Sequence, residues 1–328
     1  MGRIFSGIQP SGDIHLGNYL GALRNWVKLQ DEYDDCLYCI VDLHALTELQ
    51  DPHELPRRVA EAIATNLAVG IDPERSTFFV QSDVPEHTEL SWLLTCLTPL
   101  GALERMTQYK DKAGRQGQSV GAGLLTYPVL MAADILIYKA DRVPVGEDQA
   151  QHLELTREIA RKFNSTFGET FPEPQILLTA GARIMALNAP EKKMSKSVPG
   201  SYIGLSDPPE TIRQKVMRAV TDVGPRGAEM SPGVKNLFTI LECVAPESVV
   251  RPLKEAYGEG TLRYADLKQT LADELIKTLT PIRERRAELL AHPEKLREIA
   301  AAGAAKARPL ARAVLAEVRE KMGIGRIG

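Results

Sequence analysis

Strand-like and helix-like segments alternate through the first half of this chain. Short β-branched and aromatic runs predict strands at residues 3–5, 36–42, 77–81 and 142–145. Amphipathic or apolar stretches predict helices at residues 16–30, 53–69, 86–97, 128–140 and 149–163. This alternation favours a doubly wound, mainly parallel α/β sheet. Sheets of this kind bind ligands at the carboxyl ends of their strands.

The second half of the chain is predicted to be mostly helical. The sequence Asp207-Pro208-Pro209-Glu210 predicts a helix start with Asp207 as the N-cap. Residues 265–300 have helical, charged composition, and a last helix is predicted from Pro309 to Met322. Residues 281–328 carry 11 Lys and Arg against 6 Asp and Glu. This local excess fits either a polyanion-binding face or an ordinary solvated helix face.

Composition limits the alternatives. A length of 328 residues suggests about two domains, and a net charge of −3 means that any polyanion must be met by a local patch. We find no signal-peptide pattern. The longest apolar stretch, 123–138, is too short and too polar for a membrane span. Cys36 and Cys39 lie in a strand-like run, which favours a buried strand over a zinc site or a disulfide.

The stretch from Gly7 to Gly21 is the first candidate for ligand binding. It runs from a predicted strand through the turn Pro10-Ser11-Gly12-Asp13 into an amphipathic helix. Free N–H groups at such a helix start favour anions, and Gly17 lets a ring or phosphate approach the backbone. The alternative is an ordinary strand-turn-helix with His15 on the surface. The chain contains no P-loop sequence.

Two further stretches are candidates. Residues 192–197 place lysines and two hydroxyls in a connector, which suits a polyphosphate but also a solvated linker. At residues 145–149, the predicted strand end presents Asp148 or Gln149 to a ligand. Asp148 with Gln151 also fits a purely structural capping box.

Asp134 shares a predicted helical stripe with the apolar residues Leu130 and Ile137. A carboxylate on such a stripe must find a hydrogen-bond donor or raise its pKa. One interpretation is a ligand-binding acid, and the other is an ion pair with an internal Arg or Lys.

These stretches together resemble a known family. His15-Leu16-Gly17-Asn18 is similar to the His-Ile-Gly-His element of class I aminoacyl-tRNA synthetases, and Lys193-Met194-Ser195-Lys196-Ser197 is identical to their second signature. Four more segments resemble the bacterial type of tryptophanyl-tRNA synthetases in particular: 6–12, 125–128, 131–136 and 143–149. The resemblance covers essentially the whole chain. It departs from the family pattern at Asn18, where the last His is replaced, and in the short segment after Ser197.

The resemblance implies a Rossmann-like doubly wound parallel sheet with a C-terminal α-helical domain. It implies that L-tryptophan reacts with ATP to give tryptophanyl-adenylate, and that the tryptophanyl group is then transferred to tRNA(Trp). ATP is a substrate that brings Mg²⁺ with it, and no metal site is expected in the protein itself. The substrate carboxylate is the nucleophile, so catalysis consists of positioning and charge stabilisation.

The resemblance also implies roles for individual residues. The catalytic residues near the triphosphate would be His15, Lys112, Lys193, Ser195 and Lys196. The ATP-binding residues would be Gln9, Pro10, Ser11, Gly17, Asn18, Gly146, Glu147, Asp148, Ile184, Lys193, Met194, Ser195, Lys196 and Ser197. The tryptophan-binding residues would be Phe5, Gly7, His44, Tyr127, Met131, Asp134, Val143, Val145 and Gln149. Among these, Asp134 would accept the indole N–H, and Tyr127 and Gln149 would bind the α-amino group.

The implied organisation is a nucleotide-binding domain at 1–190 with a dimer-forming insertion at about 75–140. A mobile signature loop at 191–201, a helical anticodon-binding domain at 202–300 and a C-terminal helix at 303–328 would follow. A cytoplasmic homodimer without membrane contact is expected. Three alternatives stay open: a tyrosine enzyme, another nucleotidyltransferase, and a tryptophan- or tRNA-binding paralogue that does not ligate. The segment 193–197 and the large helical half argue against the second.

Overall fold

A computed structural model of the protein describes residues 2–12, 14–110, 120–146, 149–178, 183–196, 198, 200–221 and 230–325. Its centre is a parallel five-stranded sheet with the order β3-β2-β1-β4-β5. The strands are β1 (Ile4–Ile8), β2 (Cys36–Ile40), β3 (Thr77–Val80), β4 (Arg142–Val145) and β5 (Gln175–Leu178). The predicted doubly wound sheet is confirmed, and β5 is a strand that the sequence analysis did not predict.

Helices cover both faces of the sheet and make up the second half of the chain. In the first half these are α1 (Leu16–Asn18), α2 (Arg24–Glu32), α3 (Asp42–Ala45), α4 (Glu54–Ala68), α5 (Glu86–Thr95), α6 (Leu100–Glu104), α7 (Ala122–Leu136) and α8 (Ala150–Phe167). In the second half they are α9 (Pro209–Met217), α10 (Pro232–Val244), α11 (Glu247–Gly258), α12 (Tyr264–Leu290) and α13 (Pro293–Met322). A π-helical segment, Tyr19–Leu23, joins α1 to α2.

The sheet separates two apolar layers, and β2 shows why its sequence is almost continuously apolar. Tyr38 and Ile40 point into one layer, whereas Leu37 and Cys39 point into the other. All five residues of β2 are buried, as expected for a central parallel strand that is covered on both faces. Cys36 and Cys39 are therefore strand residues with free thiols, as predicted.

One layer extends into the C-terminal half of the chain. It joins β1 and the segment around Leu16 and Leu20 to apolar residues of α9, α10 and α12, such as Leu237 and Leu271. The predicted helical half thus shares a continuous core with the parallel sheet. The other layer is covered by α5, α7, α8 and α13.

The C-terminal helix differs from its prediction. It was expected to begin at Pro309, but α13 runs unbroken from Pro293 and contains Pro309 in its interior. The predicted boundary between 300 and 303 falls within this helix. Its small buried residues, among them Ala300, Ala304 and Ala307, belong to the same apolar layers as the residues of the sheet. This packing outweighs the backbone hydrogen bond that the proline removes.

Two other local predictions were wrong. Helix α7 begins at Ala122, six residues before the expected start at Pro128. Pro208 is the N-cap of α9, while the Asp207 carboxylate accepts hydrogen bonds from Gly204 N–H and the Lys215 ammonium. The proposed insertion at 75–140 also includes β3, so its first residues belong to the sheet.

Within the described ranges, no helix combines the length and the apolar character that crossing a membrane requires.

Candidate active site

His15 starts α1 through a reciprocal pair of hydrogen bonds. Its Nδ1 accepts from Asn18 N–H at 3.3 Å, and Asn18 Oδ1 accepts from His15 N–H at 3.3 Å. This capping box explains how Asn serves at position 18, where the class I element has a histidine. Because Nδ1 is an acceptor, the proton of a neutral ring must sit on Nε2. Nε2–H is then the free donor of this side chain.

The environment keeps the His15 ring neutral. The residue is only 8% exposed. Burial, followed by the positive charges of Lys196 and Lys193, lowers the pKa of His15 to about 4. At neutral pH the ring is therefore an uncharged donor beside two ammonium groups. That combination suits a polyanionic ligand, because the two ammonium groups supply positive charge and the neutral ring supplies a hydrogen-bond donor.

The second signature is attached to the core beside His15. Met185 and Lys193 form an antiparallel bridge, and Met194 N–H donates to Ile184 C=O at 3.0 Å. The Met194 side chain is buried in the same apolar layer as Leu16. Methionine thus anchors the segment and leaves the flanking lysines at the surface.

The two signature regions meet, although the contacting residues Ser11 and Lys196 are 185 residues apart in sequence. The Lys196 ammonium donates to the backbone oxygen of Ser11 at 3.0 Å and lies 3.4 Å from Ser11 Oγ. A Cβ on Gly17 would lie 3.0 Å from His15 Cε1 and 3.5 Å from Met194 Cβ, so glycine permits this close approach.

A cavity of about 360 Å³ opens at the carboxyl ends of the central strands. Its size is typical of small-molecule sites. All nine residues that the resemblance assigns to tryptophan line it: Phe5, Gly7, His44, Tyr127, Met131, Asp134, Val143, Val145 and Gln149. Gln9 and Gly146, assigned to ATP, line it as well. The lining thus reaches Gln9, two residues before Ser11, whose backbone oxygen accepts from Lys196.

Asp134 is the buried acid of this cavity, with 1% of its surface exposed. His44 Nε2 lies 2.8 Å from its Oδ2. Gln81 Nε2 and His87 Nδ1 lie 2.7 Å and 2.6 Å from its Oδ1. The alternative of an internal Arg or Lys partner is wrong for the part of the chain described, because the partners are two histidines and an amide.

These contacts decide the charge of Asp134. Burial alone would raise the pKa of the Asp134 carboxyl, but the hydrogen bonds from His44 and His87 outweigh it, so the pKa lies below its ordinary value. The cavity thus contains an ionised acid, which accepts hydrogen bonds and donates none.

A second polar group, Tyr127, lies on the same face of α7 as Asp134, two turns earlier in the helix. The Tyr127 hydroxyl is 3.0 Å from Gln108 Oε1 and 2.6 Å from His152 Nε2. Burial raises the pKa of Tyr127 to about 12, so the phenol is neutral. Gln149 is the N-cap residue of α8, and it brings its side chain to the same cavity. The predicted capping box depends on Asp148, which lies outside the described residues; its other member, Gln151, accepts from Thr107 N–H through Oε1.

Four of the candidate residues lie outside the described residues: Lys112, Glu147, Asp148 and Ser197. Conversely, sequence reasoning missed Gln81, His87 and Gln108. These three residues are distant in sequence from Asp134 and Tyr127, and they contact them only in the folded chain. The one sequence signal that could have identified them is a Gln or His within an apolar stretch.

Comparison with known proteins gives consistent results. The family model of class I tRNA synthetases (W and Y) matches residues 2–280. A tryptophan–tRNA ligase from Clostridium acetobutylicum is 52% identical over 327 residues, covering 98% of this chain and 96% of that protein. A Campylobacter jejuni tryptophanyl-tRNA synthetase complexed with ADP and tryptophan has a TM-score of 0.87 at 38% identity, covering 98% and 100% of the chains. A Mycoplasma pneumoniae tryptophanyl-tRNA synthetase has a TM-score of 0.90 at 38% identity, covering 99% and 98%.

Proposed function

The chain belongs to the family of class I tRNA synthetases (W and Y), and we propose that it is the tryptophan–tRNA ligase of this family. It activates L-tryptophan with ATP to tryptophanyl-adenylate and transfers the tryptophanyl group to tRNA(Trp). The observation that carries the proposal is a mostly apolar cavity in which Asp134 is the one acid among the described lining residues, and whose lining includes Gln9 of the loop that Lys196 contacts at Ser11.

The first step needs no nucleophile from the protein. A carboxylate oxygen of tryptophan attacks the α-phosphorus of ATP, the bond from that phosphorus to the bridging oxygen breaks, and pyrophosphate leaves with the electron pair. Negative charge grows on the leaving group, so the protein contributes cations and donors placed in advance. Lys193 and Lys196 supply the charge, Ser195 and His15 Nε2–H supply donors, and Lys112 completes the set.

The second task is to select the amino acid. The apolar lining from Phe5, Met131, Val143 and Val145 packs against the indole ring. Asp134 accepts the indole N–H, while Tyr127 and Gln149 bind the α-amino group. A phenylalanine side chain in the same place leaves the buried acceptor unpaired, which costs a few kcal/mol. Discrimination of this size removes the need for an editing domain.

ATP enters as its Mg²⁺ complex and is a substrate. Its adenosine contacts Gly146, Glu147, Asp148 and Ile184, and its phosphates contact the first loop from Gln9 to Asn18 and the segment 193–197. The helical half binds the tRNA anticodon, and the basic excess at 281–328 favours a polyanionic partner. Since charged tRNA is used in cytoplasmic translation, we place the enzyme in the cytoplasm.

The enzyme is proposed to act as a homodimer. Trp92 and Leu100, within the proposed interface region, are 67% and 60% exposed. Large apolar side chains exposed to this extent are typical of a surface that a partner covers. A second copy of the chain is the partner that the family resemblance implies.

Charging of purified tRNA(Trp) tests the proposal directly. The purified protein is incubated with Mg-ATP, labelled L-tryptophan and tRNA(Trp), and acid-precipitable label is counted. We expect label on tRNA(Trp) and none on tRNA(Tyr). Pyrophosphate exchange without charging would support instead a paralogue that binds and activates tryptophan but does not ligate.

A further inference from the structure

We propose that His87 is a positioning residue for substrate selection, which rests on the proposed role of Asp134 in binding the indole N–H. His87 Nδ1 donates a hydrogen bond to Oδ1 of Asp134 from outside the cavity. The other oxygen is thereby left to face the substrate with a single open acceptor position. Sequence resemblance assigned no role to His87.

The position of His87 separates it from the substrate. His87 is completely buried in the first turn of α5. Of the described residues, the cavity lining includes Asp134 and His44 but neither Gln81 nor His87. The side of the carboxylate that His44 contacts, at Oδ2, is therefore the side towards the cavity. His87 and Gln81 approach Oδ1 from behind.

The hydrogen bonds on Oδ1 have fixed directions. An ionised carboxylate only accepts, so His87 Nδ1 must carry a proton in either charge state of the ring. Gln81 Oε1 accepts from Leu43 N–H at 3.1 Å, which orients its Nε2 as the donor towards Asp134. Two donors fill the acceptor positions of Oδ1. In the described part of the chain, Oδ2 has one donor, His44, and keeps one position for the substrate.

His87 is itself held on its other side. The Tyr138 hydroxyl lies 2.7 Å from His87 Nε2. Tyr138 stacks on Phe5 with ring centroids 5.7 Å apart, and Arg3 donates to its backbone oxygen at 2.6 Å. The chain Tyr138–His87–Asp134 thus connects the cavity wall formed by Phe5 to the selecting acid. A charged hydrogen-bond chain that is buried and complete fixes orientation strongly.

A pair of amide substitutions separates the two contacts of His87. In His87→Asn, the amide nitrogen stands where Nδ1 stands and keeps the donor to Asp134. In His87→Gln, the amide lies one methylene further out, where Nε2 stands, and keeps only the Tyr138 contact. Both variants remove the ring, so they differ mainly in which partner they retain. His53→Gln, at an exposed histidine, controls for the substitution itself.

The readout is a ratio of two dissociation constants, measured by calorimetry. One ligand is L-tryptophan, and the other is its benzothiophene analogue, in which sulfur replaces the ring N–H. Wild type and His53→Gln should prefer tryptophan by roughly 10- to 100-fold, the range for a hydrogen bond to a charged group. His87→Asn should keep most of this preference, and His87→Gln should lose at least about tenfold of it.

A general packing defect weakens both ligands alike and leaves the ratio unchanged, so equal preference in both variants overturns the inference. Absence of any preference in wild type would contradict the proposed role of Asp134 instead. Nitrogen-15 NMR of the wild-type histidines provides a test that needs no variant. His87 Nδ1 should carry its proton throughout the neutral range, and an unprotonated Nδ1 would also overturn the inference.

Discussion

In the proposed mechanism, His15 combines a structural and a catalytic task in one ring. Its Nδ1 caps α1, and its Nε2–H is the donor that we propose for the triphosphate. The two tasks use different nitrogens, so a suitable substitution can separate them. Asparagine retains an acceptor at the cap position and is itself a preferred N-cap residue, but it has no atom where Nε2 stands.

We therefore predict that His15→Asn leaves the free energy of unfolding at pH 7 within about 1 kcal/mol of wild type. Tryptophan-dependent adenylate formation should fall by roughly 100-fold or more, because a donor to the developing charge is lost. Urea unfolding and single-turnover kinetics measure the two effects. A variant that unfolds readily but forms adenylate at the wild-type rate would show that capping is the only role of His15.

The same residue predicts a pH dependence of stability. The pKa of His15 is about 4 in the folded protein against 6.5 ordinarily. The contribution of His15 to the free energy of unfolding is complete above pH 6.5. It is lost as the pH falls towards 4, because in this range the unfolded chain takes up the proton and the folded chain does not. Between pH 7 and 4.5, wild type should lose up to about 2.5 kcal/mol more unfolding free energy than His15→Asn. If urea titrations show that wild type and His15→Asn lose the same unfolding free energy between the two pH values, the low pKa of His15 is contradicted.

Individual residues also show where sequence reasoning ends. The two signatures and, apart from His44, the nine cavity residues lie in or near short segments that match the family in the same order. They could therefore be identified from the sequence without the structure. Gln81 and His87 were not, because they contact Asp134 across 53 and 47 residues and have no periodic pattern of their own. Asp134 could be identified as a buried acid in need of donors, but the sequence did not reveal which donors it has.

At the scale of elements, α13 is the feature that links the end of the chain to the sheet. It packs along β3, the edge strand, and thereby covers an edge that would otherwise be open. Arg308 and Arg312 pair with the buried Glu86 at the start of α5. The pKa of Glu86 is lowered because the hydrogen bonds and charges of these arginines outweigh the opposing effect of burial. Helix α13 therefore braces the turn that carries His87.

Gly303 makes this packing possible. A Cβ at this position would lie 1.7 Å from the backbone oxygen of Phe78 in β3, so Gly303→Ala should force the helix away from the strand. We predict a loss of about 1–3 kcal/mol or more in unfolding free energy. Gly258→Ala is the matched control, because a Cβ there meets nothing within 4 Å. The control should be neutral or slightly stabilising in thermal unfolding, and equal losses in both variants would contradict the close packing.

Elements with a strong pattern were predictable, and those that depend on tertiary packing were not. The strand β2 and the helix α4 have clear apolar periodicity and were predicted to within two residues at each end. The interior Pro309 suggested a helix start, since proline lacks an N–H, but the small-residue stripe of α13 keeps the helix continuous. The strand β5 is short and lies at the sheet edge, where little of the pattern remains.

At the scale of the whole molecule, the exposed side chains of Trp92 and Leu100 in the region 75–140 form the apolar surface that we propose as the dimer interface. Trp92→Arg places a charge in that surface, and we predict that it converts the dimer to a monomer of 36.1 kDa. Val220→Arg, at another exposed apolar residue outside this region, should remain dimeric. Sedimentation equilibrium measures both masses. A wild-type monomer, or a dimer that survives Trp92→Arg unchanged, would place the interface elsewhere or remove it.

The proposed site has two halves, signature segments that bind ATP and a buried anion that selects the amino acid. Pyrophosphate exchange into ATP, measured with L-tryptophan, L-tyrosine and L-phenylalanine in turn, tests both parts at once. We predict exchange with L-tryptophan and background with the other two amino acids. Exchange that depends on L-tyrosine, or that proceeds equally with all three, would contradict the account.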